Sequence, residues 1–180
     1  IPDLTAKYTW KGAWGHFAVG ALARQLKYET TGAGAIDDSA TGFAGTVSGK
    51  FMLGQDDVRF VLLGGNLGRY VALNFANDAV LDGAGRLDAI DGYAGFVAYR
   101  HLWTKTLRTN LWFSAQRYDN DVALTGGSAN KGSRSWAVNL IYSPLPKLDV
   151  GAEFRAATRE LESGAEGDLR RLQFTTKYSF

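Results

Sequence analysis

The chain has 180 residues and no cysteine. That is enough for one domain with a sizeable core, and it leaves no disulfide framework, thiolate metal site or cysteine nucleophile. Hydrophobic residues make up 46% and the net charge is +2, which excludes a disordered chain and gives no electrostatic footprint for nucleic acid. No stretch approaches the roughly 20 apolar residues of a membrane helix, whereas a mean hydropathy of -0.16 is compatible with membrane β-strands, which alternate apolar and polar residues.

The 22 glycines against 3 prolines, scattered through apolar and aromatic stretches, favour β structure over helix. Period-two alternation predicts nine strands, at about 3–10, 14–28, 42–53, 57–67, 88–103, 106–118, 133–143, 148–161 and 168–180. In the first, Leu4, Ala6, Tyr8 and Trp10 oppose Thr5, Lys7 and Thr9. In the second, Phe17, Val19, Ala21 and Ala23 oppose His16, Ala18, Gly20 and Arg24. The third sets Phe43, Val47 and Phe51 against Thr46, Ser48 and Lys50, and the fourth sets Val58, Phe60 and Leu62 against Asp57, Arg59 and Val61. Parity in the fifth is open: either Tyr93, Val97 and Tyr99 or Ala94, Phe96 and Ala98 take the apolar side. The sixth, seventh and eighth alternate around Leu111 and Phe113, Trp136 and Val138, and Phe154. The last is strict, with Leu172, Phe174, Thr176, Tyr178 and Phe180 on one face and Arg171, Gln173, Thr175, Lys177 and Ser179 on the other. About ten alternating residues is the length of a tilted membrane strand.

Short connections (11–12, 53–56, 104–105 and 144–147) alternate with long polar ones (29–41, 68–87, 119–132 and 162–167). Short turns on one side and long loops on the other are the arrangement of an outer-membrane β-barrel. Trp10, Trp14, Trp103, Tyr142, Tyr178 and Phe180 lie beside short turns or the chain end, where an aromatic girdle meets the membrane interface. If the short turns are periplasmic, nine antiparallel strands put residue 1 outside the cell, and an odd number does not close neatly. The chain, a single transmembrane barrel domain over 1–180, is therefore expected to be the C-terminal part of a larger barrel, with an odd number of strands upstream. The lack of an initiating methionine and of a signal peptide fits that expectation.

The segments AIDGYAGFVAYRHLWTKTLRTNLWFSAQ and RELESGAEGDLRRLQFTTKYSF, with the opening DLTAKYTWKGAWGHFAVGALARQLKYE, resemble the DcaP-like family of trimeric outer-membrane porins. The terminal KYSF is similar to the aromatic signal read by the barrel-assembly machinery. The resemblance implies a barrel of about 16 strands, a homotrimer, and passage of small, mostly anionic solutes such as dicarboxylates. Family members also carry a periplasmic N-terminal coiled coil, and no heptad segment occurs here.

A porin works through its lumen rather than by covalent chemistry. The polar faces of the predicted strands carry Lys7, Arg24, Lys50, Arg59, Arg108, Arg155, Arg159, Arg171 and Lys177 against Asp57, Asp149 and Glu153. Such a wall favours anions, and the planar fork of arginine suits carboxylates. Arg155, Arg159 and Arg171 fall on the last two strands and are read as an arginine ladder, with Arg24 contributing from elsewhere; the opposing reading pairs them with acids such as Glu153 to stiffen the wall. The loop at 68–87 is partly apolar, which suits a constriction folded into the lumen, a contact with a neighbouring protomer, or a solvated extracellular loop. His16 and His101 lie near short turns, no GxSxG or HExxH occurs, and no enzyme, metal or cofactor is expected. The partners expected are outer-membrane lipid and lipopolysaccharide, small anionic solutes and further copies of the chain, with no nucleic acid. The rival readings are a monomeric barrel of about 8–10 strands acting as anchor or adhesin, and a lipocalin-like carrier.

Overall fold

A computed structural model describes residues 2–71 and 75–179. Phe180 of the predicted girdle lies outside the described residues. The strands are β1 (Leu4–Gly12), β2 (Gly15–Glu29), β3 (Asp37–Leu53), β4 (Asp56–Gly65), β5 (Ala79–Leu81), β6 (Leu87–Ala89), β7 (Gly92–Leu102), β8 (Leu107–Tyr118), β9 (Asn130–Leu145), β10 (Leu148–Leu161) and β11 (Glu166–Tyr178). Two helical turns, α1 (Gly68–Val71) and α2 (Val122–Thr125), sit in the loops. Nine strands form one sheet in the order β1-β2-β3-β4-β7-β8-β9-β10-β11, while β5 and β6 form a separate hairpin. Every neighbouring pair in the large sheet is antiparallel, with β4 joined to β7 across the β5–β6 hairpin. Among the described residues the sheet is not closed, since β1 and β11 are each bonded on one side only.

Directly opposed residues of an antiparallel pair point to the same side, so the registers carry one face across the whole sheet. One row runs Phe51, Val58, Tyr99, Leu111, Val138, Phe154 and Leu172. This face is apolar, yet it is open: Phe174 is 74% exposed, Phe43 66% and Leu172 61%. Apolar area on that scale needs a non-aqueous environment. The other face is polar and charged. We call these faces outward and inward.

Register settles the parity of β7. Val97 opposes Phe60 and Tyr99 opposes Val58, so Tyr93, Val97 and Tyr99 point outward. Ala94, Phe96 and Ala98 point inward.

Strands extend past the alternating stretches at the long-loop end. β3 begins at Asp37 and β9 at Asn130, and the connection before β11 shrinks to the four residues 162–165. Beyond the apolar band a strand needs partners but no apolar side chains, so Asp37 to Thr41 still pair with Glu29 to Gln25. The hydrophobic pattern stops before the ladder does.

Candidate functional site: the basic inward face and its loop

A second row crosses the inward face from Lys11 through His16, Lys50, Arg59, Ala98, Trp112 and Ala137 to Arg155 and Arg171. Of the sequence-derived residues, Lys7, opposite Gly20, shares this face, as do Arg24, Arg108, Arg159 and Lys177 by their registers. His16 points inward with Lys50, and His101 points outward opposite Thr109. The two histidines therefore sit on opposite faces.

The inward cations divide into two groups. Near the short turns, Asp57 is fully buried and gathers Arg59 Nε at 2.7 Å, Arg100 at 2.7 Å and Lys50 Nζ at 3.6 Å. Arg100 escaped the sequence reading because the parity of β7 was open. Pairing with β4 places it inward, opposite Asp57. Arg108 binds Asp149 at 3.0 Å and Ser143 at 2.8 Å.

The second group has no carboxylate partner among the described residues. Arg155 donates to Ser135 Oγ at 3.0 Å and lies 5.1 Å from the Trp112 ring centroid. Arg171 opposes it directly in the register. Like charges so placed repel, and an anion between them relieves that repulsion. Arg159 donates to Asn130 Oδ1 and lies over the Phe75 ring. Glu153, the acid that the opposing reading pairs with these arginines, accepts from Asn139 Nδ2 at 3.3 Å.

Arg24 departs from the ladder expectation. It is 4% exposed, donates through Nε to Asn66 Oδ1 at 2.6 Å and pairs with Asp78 at 2.7 Å. Its carboxylate and amide partners belong to the loop between β4 and β7, so it anchors that loop rather than facing open space.

The loop turns inward where Gly65 has φ 111°; a Cβ there would collide with the backbone of Phe43. Asn66 is fully buried, and its Nδ2 donates to the carbonyls of Asp78 and Ile90 at 2.7 Å each. Gly42, opposite Arg24, leaves the space the Asn66 side chain fills, since a Cβ at Gly42 would overlap it. From this anchor the loop crosses the inward face. Tyr70 reaches Asp3 on the β1 side. Tyr70 and Val71 border a cleft of about 440 Å³ whose other walls include Leu63, Phe96, Ser114, Gln116, Ser135 and Arg155. Phe75 meets Tyr118, and its carbonyl accepts from Asn130. The β5–β6 hairpin returns along β3, where Asp38 accepts the Leu87 N–H at 2.6 Å. Of the three roles open to this loop, the geometry is that of a segment folded across the polar face. Part of it, residues 72–74, lies outside the described residues.

An up-and-down antiparallel sheet, apolar outside and charged inside, with two- to four-residue turns at one end, has the make-up of a membrane-barrel wall. No protein-family model matches the sequence, and no curated protein matches it. Among solved structures, the outer membrane channel DcaP of Acinetobacter baumannii superposes on the whole chain with a TM-score of 0.87 at 22% identity. The chain spans about half, 52%, of that channel's chain. Its fold is thus that of roughly half of an outer-membrane channel barrel.

Proposed function

We propose that this chain forms one wall of a water-filled channel in the outer membrane of a Gram-negative bacterium, passing small anionic solutes of the dicarboxylate type and performing no covalent chemistry. The observation that carries this reading is the basic inward row, in which Arg155 and Arg171 stand opposite one another without an acid. Charged rings with low-dielectric walls lower the entry barrier for the opposite sign. Arg155, Arg171 and Arg159 supply the open positive wall, while Lys177 stands opposite Asp149. Lys50, Arg59 and Arg100 share the one charge of Asp57, and Arg108 pairs with Asp149, so this group is balanced only in part. The folded-in loop narrows the passage. The free edges of β1 and β11 await further strands of the same barrel, and homotrimeric assembly accompanies the likeness to the DcaP-type porins. Replacing Arg155 and Arg171 together by Ala should move the reversal potential in a salt gradient toward cation preference; an unchanged potential rejects the arginine-lined filter.

A further inference from the structure

The apolar band of the outward face ends in an arginine on three strands. On β9, Tyr142, Leu140, Val138 and Trp136 give way to Arg134. On β8, Leu111, Phe113 and Ala115 give way to Arg117, and on β11, Phe174 and Leu172 give way to Arg170. The register makes these neighbours. Ala115 opposes Arg134 and Arg117 opposes Gly132, so the two arginines sit one strand and one pleat step apart. Arg170 opposes Ala156, which opposes Trp136, one step below Arg134. With strands about 4.8 Å apart and about 7 Å per two-residue step, the three backbones span about 20 Å.

All three side chains are exposed, and none has a hydrogen bond or ion pair among the described residues. The adjacent acid Glu160 is taken by Lys131 at 2.5 Å. Asp168 accepts from Thr158 at 2.8 Å, and Glu166 stands opposite Glu160 at the β11 edge. Most inward guanidiniums, by contrast, are held by carboxylates or side-chain oxygens. Three guanidiniums without a hydrogen bond or ion pair, two of them within electrostatic reach of Glu160, stand at the long-loop rim of the apolar belt, at the depth where lipid headgroups meet a barrel.

We infer that Arg117, Arg134 and Arg170 form a docking surface for the phosphates of the outer-leaflet glycolipid, the bisphosphorylated lipid A head. Guanidinium forks match phosphate oxygens bidentately, and acyl chains then lie along the Trp136 and Leu172 belt. The inference rests on the reading that this face meets the outer leaflet at the long-loop end.

The test uses the whole protein extracted in detergent and titrated with bisphosphorylated lipid A, and separately with the same lipid enzymatically stripped of phosphate, with binding read by native mass spectrometry. The triple variant R117Q/R134Q/R170Q should bind bisphosphorylated lipid A about 5- to 100-fold more weakly. K105Q, at the opposite end, should bind as the wild type does. Stripped lipid A should bind wild type no better than the triple variant binds the intact lipid. Equal binding by wild type and triple variant, or equal binding of the two lipids, overturns the inference. So does a triple variant that loses subunit association while keeping its lipid affinity, since the arginines then serve a second copy. Single-channel conductance, recorded on the same samples, tests the channel separately: a protein that binds lipid A and does not conduct refutes the channel and keeps the lipid site.

Discussion

Replacing Asn66 by Ala should release the loop from the inward face and raise the conductance. The amide is fully buried and makes three side-chain bonds, one from Arg24 Nε at 2.6 Å and two to backbone carbonyls at 2.7 Å. Its removal orphans the Arg24 Nε donor and the Ile90 carbonyl, while the Asp78 carbonyl keeps the Ile90 N–H at 3.0 Å. At about 1–3 kcal/mol for each orphaned group, relieved in part by entering water, the loop loses about 3 kcal/mol of local stability. That is a shift of about a hundredfold in the population of the undocked loop. N66D should behave alike, because a carboxylate cannot donate to the carbonyls of Asp78 and Ile90. G42A should also behave alike, through overlap of the new Cβ with Asn66. Single-channel recording reads the effect as larger conductance with more open-state noise, and limited trypsinolysis reads it as faster cleavage at Arg69. If N66A and G42A conduct and resist trypsin as wild type does, the loop is not held by this anchor.

Asp57→Asn strips the shared counter-charge from Lys50, Arg59 and Arg100. It should cost about 3 kcal/mol by thermal unfolding in detergent and move the reversal potential further toward anions. Lys147 has φ 71° in the turn between β9 and β10, a conformation that glycine adopts without the Cβ penalty. Lys147→Gly should therefore stabilise by about 0.5–1 kcal/mol, measured by denaturant titration. In the loop, the Arg86 backbone N–H, then its side chain, hold the Asp82 carboxyl below the usual carboxylate range. A depressed folded-state pKa gives stability that is present above the unfolded value and lost as pH falls through the folded one. The β5–β6 turn should thus keep its structure at mildly acidic pH and loosen only in stronger acid, as an NMR titration of Asp82 would follow; a normal carboxylate midpoint would contradict this.

The number and order of the strands in the large sheet, and the faces of eight of them, were legible because half-buried sheet imposes a period of two that no helix shares. Leu172, Phe174 and Tyr178 against Arg171, Gln173 and Lys177 are enough to orient β11. The face of β7 was not legible, since alanines and a phenylalanine interleave with tyrosines and either set suits lipid; only pairing with β4 decides, and Arg100 was hidden with it. The role of Arg24 was not legible either. Its position on the polar face was correct, but its partners Asn66 and Asp78 are 42 and 54 residues away, and no local pattern encodes such a contact. The β5–β6 hairpin has strands of three residues, too short for any periodicity. Gly65 and Gly42 were counted as β-rich composition; their role in admitting the loop appears only when a Cβ is placed there.

The most direct test of the account is the reversal potential of the wild-type protein in a planar bilayer across a tenfold KCl gradient. The basic inward face predicts stable single-channel steps and a reversal potential displaced toward the chloride equilibrium value. A protein that inserts without conducting, or a potential displaced toward the potassium value, would contradict it.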